Sequence, residues 1–135
     1  MNLDIVQVCA ALKTQLETTG ARVYDYIPDG PGLPCVVIFL QPFDYDTTYD
    51  DGVDLKLVLQ CLGGSVNTQG AQQTLYGWLS TGTDMSIHDA IAGNATLDGY
   101  VSDTRVTRLD SYGIIELPNG GTRIWAADLH VDILA

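Results

Sequence analysis

Residues 125–134, WAADLHVDIL, alternate without a break. Trp125, Ala127, Leu129, Val131 and Ile133 point one way, and Asp128, His130 and Asp132 the other. Successive side chains of a strand project to opposite faces, so this is a strand with one buried face. Upstream, Asn119–Gly120 is a strong hairpin signal, because tight turns between twisted strands need positive φ. The last third of the chain therefore reads as a hairpin, with Val101–Tyr112 as one arm and Thr122–Leu134 as the other.

The same alternation recurs in VDLKLVLQCL, residues 53–62. Val53, Leu55, Leu57, Leu59 and Cys61 oppose Asp54, Lys56 and Gln60, and Gly63–Gly64 is expected to end the strand. The stretch Cys35–Gln41 differs, being apolar on both faces: Val36, Ile38 and Leu40 on one, Cys35, Val37 and Phe39 on the other. Such a strand is buried on both sides, or is buried on one and meets another subunit on the other. A short strand, Arg22–Tyr26, precedes it across the turn-forming loop IPDGPGLP, residues 27–34. Gln41–Gly52 reads as a loop or the tip of a long hairpin.

Three helices complete the chain. Ile5, Cys9, Leu12 and Leu16 recur at helical spacing within Leu3–Thr18, with Asn2 or Asp4 as the cap and Gly20 as the stop. A second helix is expected from Ser65 or Asn67 to Leu79, with Ala71, Leu75 and Trp78 inward and Gly77 allowing close approach. A third starts at Ser86, where SIHD reads as a capping box, with Ile87, Ala90 and Ile91 inward and Gly93 at its end. The element order is α-β-β-β-α-α-β-β. It predicts an α+β fold: an antiparallel or mixed sheet with helices packed on one face, formed by one domain over residues 1–135.

Composition narrows the function. Six basic residues against seventeen acidic ones leave a net charge of −11. Phosphate affinity comes mainly from Lys and Arg, so a nucleic-acid grip is a poor reading. An anionic membrane surface is equally unfavourable, and the longest apolar run, Cys35–Leu40, is too short to span a bilayer. The N-terminus does not read as a signal peptide, and a cytoplasmic site of synthesis is expected. Cys9, Cys35 and Cys61 are odd in number and widely spaced. They read as inert thiols on apolar faces, and neither a disulfide framework nor a zinc site is expected.

The search for chemistry returns little. The glycines form no phosphate-binding loop. The acidic run DYDTTYDDG, residues 44–52, fails the calcium-loop pattern twice, with Tyr49 where glycine belongs and Leu55 where a bidentate Glu belongs. His130, flanked by Asp128 and Asp132, lies on a polar strand face that reads as mixed surface charge rather than a metal site. No catalytic residue, metal or cofactor is expected. Tyrosine is favoured where one end meets apolar surface and the other a hydrogen bond, so Asp44, Tyr45, Asp46, Tyr49, Asp50 and Asp51 are the candidate interface.

As a whole the chain resembles the tail terminator, or tail completion, proteins of bacteriophages with long non-contractile tails. The likeness lies in a pattern of elements. LDIVQVCAALKTQL opens, and Pro28 and Pro31 lead into LPCVVIFL. An acidic stretch closes on Gly52 before VDLKLVLQCL, a helix ends YGWLS, SIHDAIAG follows, and WAADLHVDIL closes the chain. SIHDAI and LDGYV are the most family-like segments.

The resemblance implies a structural virion protein, not an enzyme. Such proteins form a homohexameric ring at the head-proximal end of the tail. The ring caps the tail tube protein, stops its polymerisation and presents a surface to the head-side connector protein. Double-stranded DNA passes through the bore without specific binding. On this reading Asp44–Asp51 faces the bore or the tube below. The alternatives are a head–tail connector or stopper ring, a small acidic metal-dependent hydrolase, and an acidic adaptor that mimics DNA or binds a basic protein.

Overall fold

The computed structural model describes residues 4–26, 32–42, 54–67, 70–116 and 123–134. Asp4 opens helix α1 (Ile5–Glu17) by accepting a hydrogen bond from the Gln7 N–H at 3.3 Å. The helix is one turn shorter than its apolar spacing predicts. Its inward stripe centres on Val8, Ala11, Leu12 and Leu16, with Ile5 and Cys9 only partly buried. Both rows satisfy the helical period, and the core-facing stripe of a helix is wide enough to hold them together. Gly20, at φ +85, closes the turn after the helix by donating to the Glu17 carbonyl.

Strands β1 (Arg22–Tyr24), β2 (Cys35–Leu40) and β3 (Asp54–Ser65) follow, then helices α2 (Ala71–Leu79) and α3 (Ile87–Ala92). Strands β4 (Asp103–Glu116) and β5 (Arg123–Leu134) end the chain, in the element order that the sequence predicts. The sheet order is β1-β2-β3-β5-β4. Only β1 and β2 are parallel, so the sheet is mixed.

The principal core lies between the three helices and one sheet face. Leu55, Leu57, Leu59 and Cys61 of β3 and Ala127, Leu129, Val131 and Ile133 of β5 meet Leu12, Leu16, Leu75, Trp78, Ile87 and Ile91 there. A smaller cluster on the opposite face joins Cys35, Val37, Leu62, Ile124 and Ala126. The two-sided apolar strand β2 is thus buried on both sides as far as Ile38, while Leu40 at its end is exposed.

The Gly63–Gly64 pair does not end β3. The strand passes through it, with a register shift between Leu62 and Gly64, and pairs on to Ser65 opposite Ile124. Gly64 sits at φ +123, which suits a bulge rather than a stop. A Cβ on Gly63 would lie 3.0 Å from the Ala71 carbonyl oxygen and 3.1 Å from the Leu75 Cβ. The close approach of helix to sheet therefore occurs at Gly63. Gly77, by comparison, faces the flexible Met85 side chain. Because β3 uses residues to Ser65, α2 starts only at Ala71, later than predicted.

The capping box of α3 is half formed. Ser86 Oγ accepts from the Asp89 N–H at 3.1 Å, as read from SIHD. The Asp89 carboxylate does not return to the Ser86 N–H, which bonds to the Thr83 carbonyl instead. It accepts from the Gly82 N–H at 2.6 Å and lies 3.1 Å from His88 Nδ1. Those contacts hold the Asp89 carboxyl below the usual range, the His88 bond first and the Gly82 bond second.

Candidate functional site

Strand β4 is the outer strand of the sheet. It pairs with β5 along one side, and with no other strand among the described residues. Its alternation is interrupted twice, between Val106 and Arg108 and between Asp110 and Gly113. Ser111, at φ +54, lies in the second interruption. These bulges re-aim the side chains and explain why the sequence pattern of this arm is weaker than that of β5.

Across the bulges, β4 presents two rows. On the helix side, Leu109 lies opposite Leu129 and Ile114 opposite Trp125. On the other side, Arg105 lies opposite Asp132 and Arg108 opposite His130. Leu109 is 49 % exposed, Ile114 42 % and Tyr112 39 %, a concentration of large apolar residues on an edge strand.

Tyr112 joins a three-ring stack. Its ring centroid is 5.9 Å from Tyr76 on α2 and 5.9 Å from Trp125 on β5, with interplanar angles of 21° and 24°. Gln72 Nε2 donates to the hydroxyls of both Tyr76 and Tyr112 at 2.8 Å, and the Tyr112 hydroxyl donates to that of Tyr76 at 3.1 Å. The Tyr112 hydrogen bond pushes the Tyr76 phenol above its ordinary pKa. Beside this stack opens a groove of about 440 Å³, lined by Tyr76, Leu79, Ser80, Leu109 and Tyr112. Its lining holds hydroxyls and apolar carbons but no carboxylate, imidazole or thiol. It suits apolar and aromatic side chains, not acid–base chemistry.

The polar face of β3, β5 and β4 carries surface ion pairs. Lys56 Nζ lies 3.1 Å from Asp54 and 2.9 Å from Asp132. Asp110 receives Arg108 at 3.4 Å and His130 at 3.5 Å. The Ser111 N–H, followed by Arg108 and His130, holds the Asp110 carboxyl below its ordinary range. Burial pushes Asp128 the other way, opposed by His130 and reinforced by Asp110. The Asp128, His130 and Asp132 row is thus a mixed-charge strand face, the sense in which the sequence reads it. No cluster of potential metal ligands occurs among the described residues.

The three thiols are free. Cys61 is fully buried and its pKa is raised far above the ordinary value by desolvation. Burial also pushes Cys35 up to about 11 and raises Cys9, which Asp25 raises further. Protonated thiols make weak nucleophiles, in keeping with an inert reading. None of the helices among the described residues is long and apolar enough to cross a membrane.

The interface residues read from sequence, Asp44, Tyr45, Asp46, Tyr49, Asp50 and Asp51, lie outside the described residues, as does the Asn119–Gly120 turn. Tyr76, Leu79, Leu109 and Tyr112 were not singled out by the sequence pattern. The available signal was the poor alternation of residues 101–116, where apolar residues recur without a fixed parity.

No protein-family model matches this chain, and no curated protein matches it. Among solved structures, it is similar to a chain of one titled "Virion of native gene transfer agent (GTA) particle". The identity is 16 % over 95 % of each chain, and the TM-score is 0.38.

Proposed function

We propose that this chain is a structural virion protein, a tail terminator that assembles as a hexameric ring on the head-proximal end of a tail tube. The observation that carries the reading is strand β4: fourteen residues paired, among the described residues, on one side only, with Leu109, Tyr112 and Ile114 exposed beside an aromatic groove. An open strand edge with apolar side chains invites another chain.

A closed ring needs two different patches that meet head to tail around the axis. The β4 edge and its groove supply one of them. Termination follows if one face of the ring copies the stacking surface of the tube while the other refuses a further tube subunit. Six copies at −11 each place −66 on the ring. Screening at physiological salt acts over about 8 Å, so only carboxylates near the bore wall would keep DNA phosphates from adhering. That part of the charge makes the passage non-adhesive for the genome.

Native mass spectrometry with and without purified tube protein tests the ring. A hexamer in either setting is the expected result, and a monomer in both would overturn the reading. The order of assembly separates the two ring roles. A terminator is found on tails made in the absence of heads, whereas a stopper stays on heads made in the absence of tails.

A further inference from the structure

We propose that Asp110 is a proton-sensitive latch: it clamps the second bulge of β4, and the bulge decides whether Tyr112 faces the aromatic groove or the opposite side of the sheet. The latch belongs to the single chain and does not depend on the ring.

The geometry is a reversal of parity. Residues two apart on a regular strand project to the same face. Asp110 and Tyr112 are two apart, yet they stand on opposite faces. Asp110 lies opposite Asp128 and reaches Arg108 and His130 on the polar side. Tyr112 stacks on Trp125, which packs against the principal core on the helix side. The bulge makes the difference, because Ser111 and Tyr112 together span the place of Ala127 alone on β5. Without the extra residue, the regular register would put Tyr112 opposite Ala126, on the face of the smaller cluster. The groove would then lose the Tyr112 part of its lining.

The bulge carries a strain that Asp110 offsets. Ser111 sits at φ +54, a left-handed conformation that residues with a Cβ disfavour. Asp110 Oδ1 accepts from the Ser111 N–H at 2.7 Å, while Oδ2 lies 3.4 Å from Arg108 Nη2 and 3.5 Å from His130 Nε2. One carboxylate thus ties the turned backbone to basic groups on both arms of the hairpin. Asp128, directly opposite on β5, opposes the latch as a like charge, and Gln60 beyond it on β3 is neutral. The Ser111 N–H first, then Arg108 and His130, hold the folded Asp110 carboxyl below its ordinary range. The ionised form therefore favours the bulge, which is present above that lowered value and weakens as pH falls through it.

NOEs between the Tyr112 ring and the Trp125 indole, measured in the full-length protein with labelled aromatic side chains, test the latch. At neutral pH the natural protein should show them. Asp110→Asn should weaken them by about threefold or more, because a neutral amide holds the Ser111 N–H and Arg108 less strongly than a carboxylate. Glycine adopts positive φ freely, so adding Ser111→Gly to Asp110→Asn should restore them. On acidification the natural protein should lose the NOEs with a midpoint below the ordinary carboxylate range. Asp128→Asn should keep that transition, and Asp110→Asn should not show it. Methyl signals of Leu129 and Ile133 in the core report whether each variant remains folded. Full-strength NOEs in Asp110→Asn at neutral pH, or no recovery on adding Ser111→Gly, would overturn the latch. So would an acid transition that survives in Asp110→Asn. Should acid unfold the whole chain, the two variants compared at neutral pH decide the matter.

Discussion

The two arms of the terminal hairpin pair with each other along most of their lengths and have different fates. In β5, Ile124, Ala126, Ala127, Leu129, Val131 and Ile133 are buried; in β4, only Thr104 is. The difference comes from neighbours. Strand β5 lies between β3 and β4, with helices over one face, so its alternation is enforced by packing. Strand β4 has one strand neighbour among the described residues; its first half lies beside α3, and its second half lines the aromatic groove. The pairing that the two arms share thus coexists with unequal burial.

The largest break in this comparison should come from paired truncations. Ile133→Ala removes a fully buried side chain and should cost about 2–5 kcal/mol by urea denaturation. Ile114→Ala, on the other arm and 42 % exposed, should cost less, no more than about 1 kcal/mol. Similar costs at both positions would mean that the arms are not as different as their burial implies.

Next in size is Gly63→Val on β3, the strand that pairs with the buried arm. Its Cβ would meet α2 backbone at 3.0 Å, so about 1–3 kcal/mol of overpacking is expected. A neutral result would show that α2 moves away easily. Smaller again is Tyr112→Ala on β4. Losing the stack on Tyr76 and Trp125 should cost about 0.5–1.5 kcal/mol and shift the Trp125 fluorescence. An unchanged emission spectrum would argue against the three-ring arrangement.

The subtlest contrast is in acid. Asp110 on β4 has its folded pKa lowered, so its stabilisation is present above the unfolded carboxylate pKa and fades as pH falls toward the folded value. Asp128 on β5 has its folded pKa raised, so its ionisation destabilises the fold as pH rises through the carboxylate range. Stability measured across the acid range should therefore lose part of its acid-side decline in Asp110→Asn. In Asp128→Asn, stability at neutral pH should rise slightly. The reverse pattern would contradict the environments assigned to the two groups.

How much of this was legible in the sequence follows the same division. Strands β3 and β5 and helix α3 are readable because their apolar residues keep one parity or one helical stripe against a continuous core. The end of β3 is misread because two glycines signal a stop locally, while a bulge and the proximity of α2 give them another use. The Asp89 half of the capping box fails because the carboxylate has a better partner in Gly82, which no local pattern of SIHD contains. The candidate site is harder still. Its rings come from α2, β4 and β5, and two bulges erase the parity that would have marked Leu109 and Tyr112 as neighbours.

The amino-acid order carries the element sequence and the acidic character, since these depend on periodicity and charge along a continuous stretch. The strand order, the place of β4 as the outer strand among the described residues and the assembly of the aromatic groove belong to the fold. They depend on which distant segments become neighbours, and side-chain alternation is blind to which strand lies alongside.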